Sequence, residues 1–120
     1  MRIIKDPKAV FLNFIADRKF TQRNYKEAAR LFEKAIKYES DINSIVINYF
    51  RLGQCYTILK RYNEALEVMN NAYELFNNNE EVVKDSFKKQ EYNKFLKAYS
   101  YVLNKIGDIE LSKKISEECE

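Results

Sequence analysis

Tyr49-Phe50-Arg51-Leu52-Gly53-Gln54-Cys55-Tyr56, followed by Ala65, Met69 and Ala72, decides how this chain folds. Small and apolar residues recur there at the three- and four-residue steps of a helix. Gly53 and Ala65 have almost no side chain, so two antiparallel helices can approach closely at that point. Tyr49, Leu52, Tyr56 and Met69 fill the space around it. The spacing predicts one helix from about Ser44 to Leu59 and a second from about Asn63 to Phe76, with Ser44 as the N-cap of the first.

The rest of the chain agrees with helices. Its 120 residues suffice for one domain with a real core. Two Gly and one Pro are too few for the turns of a sheet-rich fold, whereas long helices with short connections tolerate that shortage. No apolar run approaches the ~18 residues of a membrane span. The N-terminus, Met-Arg-Ile-Ile-Lys-Asp-Pro, lacks the apolar stretch and small-residue cleavage site of a secretion signal. Cys55 and Cys119 form no CxxC, so a reduced, cytoplasmic setting is expected. The net charge is +3, with acidic and basic residues interleaved and no basic run longer than two. Those charges read as solvated helix faces rather than a nucleic-acid tail.

The pattern recurs along the chain. Tyr25-Lys26-Glu27-Ala28 repeats Tyr62-Asn63-Glu64-Ala65 at an interval of 37 residues, and Phe32 and Ala35 then correspond to Met69 and Ala72. A lengthened loop is assigned to the polar stretch from Glu39 to Asn43. Pro7 suits a first helical turn, and Phe11, Leu12, Ile15 and Ala16 follow with helical spacing. Downstream, Gly107-Asp108-Ile109-Glu110-Leu111-Ser112 looks like a turn into a second helix, with Ser112 and Cys119 at the small-residue places. Between them one long helix is expected from about Glu80 to Ile106. Asn79 would cap it, Glu80 and Glu81 would favour its N-terminal dipole, and Gly107 would end it. A break near Gln90-Glu91 is the alternative. The expectation is an all-α fold of about six helices in antiparallel pairs. They form one domain over 1–120, with units at about 9–42, 46–79 and 80–120.

The middle unit resembles the tetratricopeptide repeat, whose order is W-x2-L-G-x2-Y, then A-x3-F, then a small residue. Tyr49 stands for the Trp, Leu52, Gly53 and Tyr56 match, Ala65 and Ala72 match, and Met69 stands for the Phe. The first unit is looser, with Lys19 where the motif has Tyr, and the third is looser still. The resemblance implies a short right-handed superhelix of stacked pairs, with partner peptides lying along the inner face of the first helix of each pair. Transferred to this chain, those positions are Asn13, Phe14, Asp17 and Phe20; Phe50, Arg51, Gln54 and Thr57; and Lys94, Lys97, Ala98 and Tyr101. Phe14 is expected to pack against a neighbouring helix, and Phe50 and Tyr101 to be the more exposed aromatics. Phe50 beside Arg51, with Lys94 and Lys97, would favour an acidic or C-terminal carboxylate partner. The clamp that holds chaperone tails in this family maps onto Asn13, Asp17, Arg51, Lys94 and Ala98, of which only Lys94 fits. That kind of binding is therefore excluded. Arrays of the family usually end in an extra solvating helix. Here a partner, a second copy or the long fifth helix would cover the end.

Catalytic chemistry has little to work with. The chain has no His, the commonest general base and metal ligand. Two distant thiols make a poor zinc site, and Cys55 and Cys119 read as packing residues. Two isolated Gly cannot build a phosphate loop. No cofactor or metal is expected, and an enzyme is not. The expected function is a protein-interaction module or adaptor. Self-association through the terminal helices as a homodimer is the alternative, and RNA binding, suggested by a pI of 8.8, is a more distant one.

Overall fold

The computed structural model describes residues 6–78 and 89–119. Six helices occur among them: α1 (Pro7–Thr21), α2 (Tyr25–Tyr38), α3 (Ile42–Ile58), α4 (Tyr62–Asn78), α5 (Lys89–Ile106) and α6 (Ile109–Glu118). No strand occurs among the described residues. Consecutive helices pack α1 on α2, α2 on α3, α3 on α4 and α5 on α6, with α5 also against α4 and α3. The result is an all-α fold of closely packed neighbouring helices, as a helical repeat requires.

Each start has its own cap. Asp6 Oδ1 accepts the Lys8 amide at 2.8 Å ahead of Pro7, whose missing N–H costs nothing in the first turn. The Asn24 side chain caps α2 and Asp108 Oδ1 caps α6, accepting the Leu111 amide at 3.2 Å. The cap of α3 is Asp41, not Ser44: the helix starts one turn earlier, and the Ser44 hydroxyl lies 3.1 Å from Asp41 Oδ2 as its donor. The expected lengthened loop therefore shrinks to residues 39–41, and Ile42 and Asn43 are helical.

The turns within the pairs share one geometry. Arg23 (φ 63°), Lys60 (φ 62°) and Gly107 (φ 101°) each take the left-handed conformation after a helix end. The next amide, of Asn24, Arg61 or Asp108, reaches back to the carbonyl of Lys19, Tyr56 or Leu103 at 2.8–2.9 Å. This satisfies carbonyls that the helix end would leave unpaired. Gly107 does so without a Cβ penalty. Arg23 and Lys60 each carry a cost of about 1 kcal/mol.

The core sits where the pairs cross. Small residues recur twelve positions apart in each pair, as Ala16 with Ala28, Gly53 with Ala65, and Ser100 with Ser112. The three alanines Ala16, Ala28 and Ala65, and Gly53, are buried. In the third pair the backbones are close enough for a reciprocal lock: Ser100 Oγ donates to the Ser112 carbonyl at 2.9 Å and Ser112 Oγ to the Ser100 carbonyl at 2.8 Å. Phe32, Leu52, Met69, Leu96 and Leu103 fill the interior around these crossings. An aromatic cluster joins α3, α4 and α5. Phe50 meets Phe95 with centroids 5.2 Å apart, Phe95 stacks on Tyr99 at 5.6 Å, and Phe76 stacks on Tyr92 at 4.0 Å.

Helix α5 begins at Lys89 and includes Gln90 and Glu91; the stretch before it, where the continuous helix and the break would differ, lies outside the described residues. The proposed start at Glu80 and the Asn79 cap lie outside the described residues. The buried stripe of α1 is Ala9 and Ala16 with half-buried Leu12, Ile15 and Phe20 beside it. Phe11, expected in that stripe, is 63% exposed. It lies on the far side of the helix from Ala16, five residues or about 500° away at 100° per residue.

Candidate functional site

The positions expected on the inner face fall into three groups. The first joins α1 to α3. The Arg51 guanidinium lies 3.9 Å from Asp17 Oδ1 and 5.4 Å over the ring of Phe20. Phe20 is itself held edge-on by Tyr25 and Phe32, at 5.5 and 6.4 Å. The cation is thereby oriented by an anion and an aromatic face at once, while about two-fifths of its side chain stays exposed. The Asp17 carboxyl lies above its ordinary value because it loses hydration between the helices, and Arg51 pulls it part of the way back. Gln54 is half-buried one turn further on, and the Thr57 hydroxyl is spent on the Gly53 carbonyl at 2.7 Å.

The second group is engaged in other contacts. Asn13 is half-buried, and its Nδ2 donates to Glu39 Oε2 at 3.2 Å. Glu39 is buried and also accepts the Asp41 amide at 3.3 Å, so Asn13 ties α1 to the α2–α3 connection. Phe50, expected among the exposed aromatics, is 7% exposed because Phe95 of α5 covers it. Tyr101 is indeed exposed at 47%, but it stands against Tyr62 at the start of α4, 6.3 Å between centroids, with Lys105 over its ring.

Lys94 and Lys97 form the third group, exposed on α5 beside half-buried Ala98. One apolar surface went unnoticed in the sequence. Val10, Phe11 and Phe14 are 51%, 63% and 63% exposed on one side of α1. Phe14, expected to pack against a neighbour, is on that side instead. The helical wheel of α1 alone carries the signal, since these three lie opposite Ala9 and Ala16.

The thiols differ in kind. Cys55 is fully buried, and desolvation pushes it up to about 12 despite the nearby charge of Arg51. Cys119 is half-buried, with its Sγ 3.4 Å from the Asn93 carbonyl. Neither is in a disulfide. A disulfide-exchange reagent at pH 8 is therefore expected to label one thiol of the native protein, Cys119, and the second only on unfolding; equal labelling of both would contradict the packing. Tyr99, inside the aromatic cluster, is likewise pushed up to about 12, chiefly by desolvation. Both groups are raised in the folded state, so their contribution is full below pH 9 and is lost as pH rises towards 12. Melting temperature should fall over that window. Among the described residues no group of His, Cys, Asp or Glu could hold a metal ion, and no helix is long and apolar enough to cross a membrane.

Closely packed antiparallel helices, small residues at their crossings and one turn geometry used three times define a helical-repeat protein. Residues 46–79 match the family model of the tetratricopeptide repeat, and the six helices are consistent with repeats of that kind. That repeat is in general a protein-interaction fold, typically without enzymatic activity. No curated protein matches the chain.

Proposed function

We propose that the protein is a non-enzymatic adaptor that holds an acidic protein segment on the inner face of α1, α3 and α5. Arg51 is the observation that carries this reading. It is half-exposed, yet fixed between Asp17 and the ring of Phe20, so a partner carboxylate would meet a cation whose rotamer freedom is already reduced. Gln54 extends the polar surface on α3, and exposed Lys94 and Lys97 add positive charge on α5. The two unpaired thiols suit a reduced cytoplasm. Phe50 has no part in the contact surface, and Tyr101 belongs to the edge formed with Tyr62.

The test uses substitutions at exposed positions that leave the core intact. Wild type and an Arg51→Ala, Lys94→Ala variant, shown to melt alike, are used to capture partners from native lysate. A partner kept by wild type and lost by the variant supports the inner face; equal recovery overturns it. A second reading, pairing of two copies through α1, is favoured by the exposed Val10, Phe11 and Phe14. Light scattering of wild type beside Phe11→Ser, Phe14→Ser decides it: a dimer that becomes a monomer supports it, and a monomer throughout ends it.

A further inference from the structure

A second surface lies on the other side of α3. Tyr49 and Tyr56 sit two turns apart on one side of that helix, roughly opposite Arg51 and Gln54 at 100° per residue. There α2 lines two adjoining clefts that share Glu33 and Tyr56; the turn before α4 closes the first and α4 itself walls the second. The cleft at the turn edge, about 550 Å³, is lined by Lys19, Lys26, Arg30 and Arg61 against Glu27 and Glu33. The cleft further along, about 340 Å³, is lined by Glu33, Glu64 and Glu67 against Lys37. Half-exposed Ile36, Tyr49 and Val68 give the second cleft apolar walls.

Internal pairing removes some of these charges and leaves a polarity. Arg30 is paired with Glu27 and Arg61 with Glu64. Among the described residues Lys19, Lys26, Glu33, Lys37 and Glu67 make no ion pair. Glu33 lines both clefts, so Lys19 and Lys26 leave the turn-edge cleft with an excess of positive charge, and Glu33 and Glu67 against Lys37 leave the other with an excess of negative charge. The tyrosine row already accepts one guanidinium: Arg61 Cζ lies 4.7 Å over the ring of Tyr56. Among the described residues no cation stacks on Tyr49, in the acidic cleft.

We propose that the surface between α2 and α4 is a second docking site, which takes a protein segment acidic at one end and basic at the other. Its acidic end meets Lys19 and Lys26, its apolar middle lies on Ile36 and Val68, and an arginine stacks on Tyr49 between Glu33 and Glu67. The site is independent of the inner face, so each can fail without the other.

The probe is a short synthetic peptide with glutamates at one end, leucines in the middle and arginines at the other, added to ¹⁵N-labelled full chain at low salt. The control peptide carries glutamine and citrulline in place of the charges. Amide shifts centred on Lys26, Tyr49, Glu67 and Val68, absent with the control, are expected. The Glu33→Gln, Glu67→Gln variant should melt like wild type and bind about fivefold more weakly, as the loss of two exposed charge pairs implies. Arg51→Ala should leave the peptide-induced shifts at Lys26, Tyr49, Glu67 and Val68 in place, whatever it does to shifts on α1 and α3. Equal binding of the control, equal binding by the glutamine variant, or shifts confined to α1 and α5 would each overturn the proposal.

Discussion

Phe50→Ala should destabilise the protein by about 3–5 kcal/mol. The ring is 7% exposed and packs against Phe95, which itself stacks on Tyr99. Truncation removes the transfer energy of the ring and leaves a cavity that α3 and α5 cannot close without moving the cluster. A loss of that size is a third or more of the stability of many domains, taken as about 5–15 kcal/mol. At this length it should lower the melting temperature by about 10 °C or more. Phe50→Leu, which keeps most of the volume, should cost less. Thermal denaturation by circular dichroism decides the matter. A change of only a degree or two for Phe50→Ala would mean that the ring is a surface group and that α5 does not cover it. The expected large loss warns against using this substitution to probe binding, because lost capture would report unfolding.

Gly53→Val should cost about 3 kcal/mol or more through overpacking. A Cβ at Gly53 would stand 2.8 Å from Met69 Cγ and 3.0 Å from Met69 Cε. Met69 is fully buried and has nowhere to retreat. Gly53→Ala brings the same first contact, but gains about 1 kcal/mol of helix propensity, so its net cost should be smaller. The origin of the strain can be isolated by a double-mutant cycle. Met69→Ala alone opens a cavity, but in the Gly53→Ala background it also makes room for the new methyl. The two losses should therefore sum to more than the double variant shows. Strict additivity would mean that the crossing is looser than the structure has it.

The crossing itself was legible because it is local. Gly53, Leu52, Tyr56, Ala65 and Met69 lie within one pair, so their spacing alone shows what must pack. Pro7 and Gly107 were legible for a similar reason, since each restricts or frees a single backbone angle. Phe50 was not, because its burial is decided by Phe95, 45 positions away on another helix. The start of α3 was misplaced by a turn because Asp41 and Ser44 are both good caps, and only their mutual hydrogen bond shows which serves. The turn between α3 and α4 was placed by its flanking helices, but the left-handed geometry of the first two turns was hidden by Arg23 and Lys60, long cations in a conformation that sequence reading assigns to glycine. At the candidate site, the Arg51–Asp17 contact depends on how α1 and α3 are set side by side, which no single-helix pattern contains. The outward side of α1 was readable from its wheel and was obscured by counting Phe11 as core.

Helix α6 is fastened differently from the rest. Its ten residues bury only Ser112 and Ile115, whereas α2 buries five residues and α3 seven. What holds its far end is polar: the Tyr73 hydroxyl bonds both oxygens of Glu118 at 2.7 and 2.8 Å, and Cys119 reaches the Asn93 carbonyl. Such an element opens at a lower free energy than the global unfolding of the chain. Its amides should exchange with deuterium well before those of α2 and α3. Each excursion would bare the side of α5 around Ser100 that α6 packs against, while the crossing at Gly53 stays shut. The array would then breathe from this end.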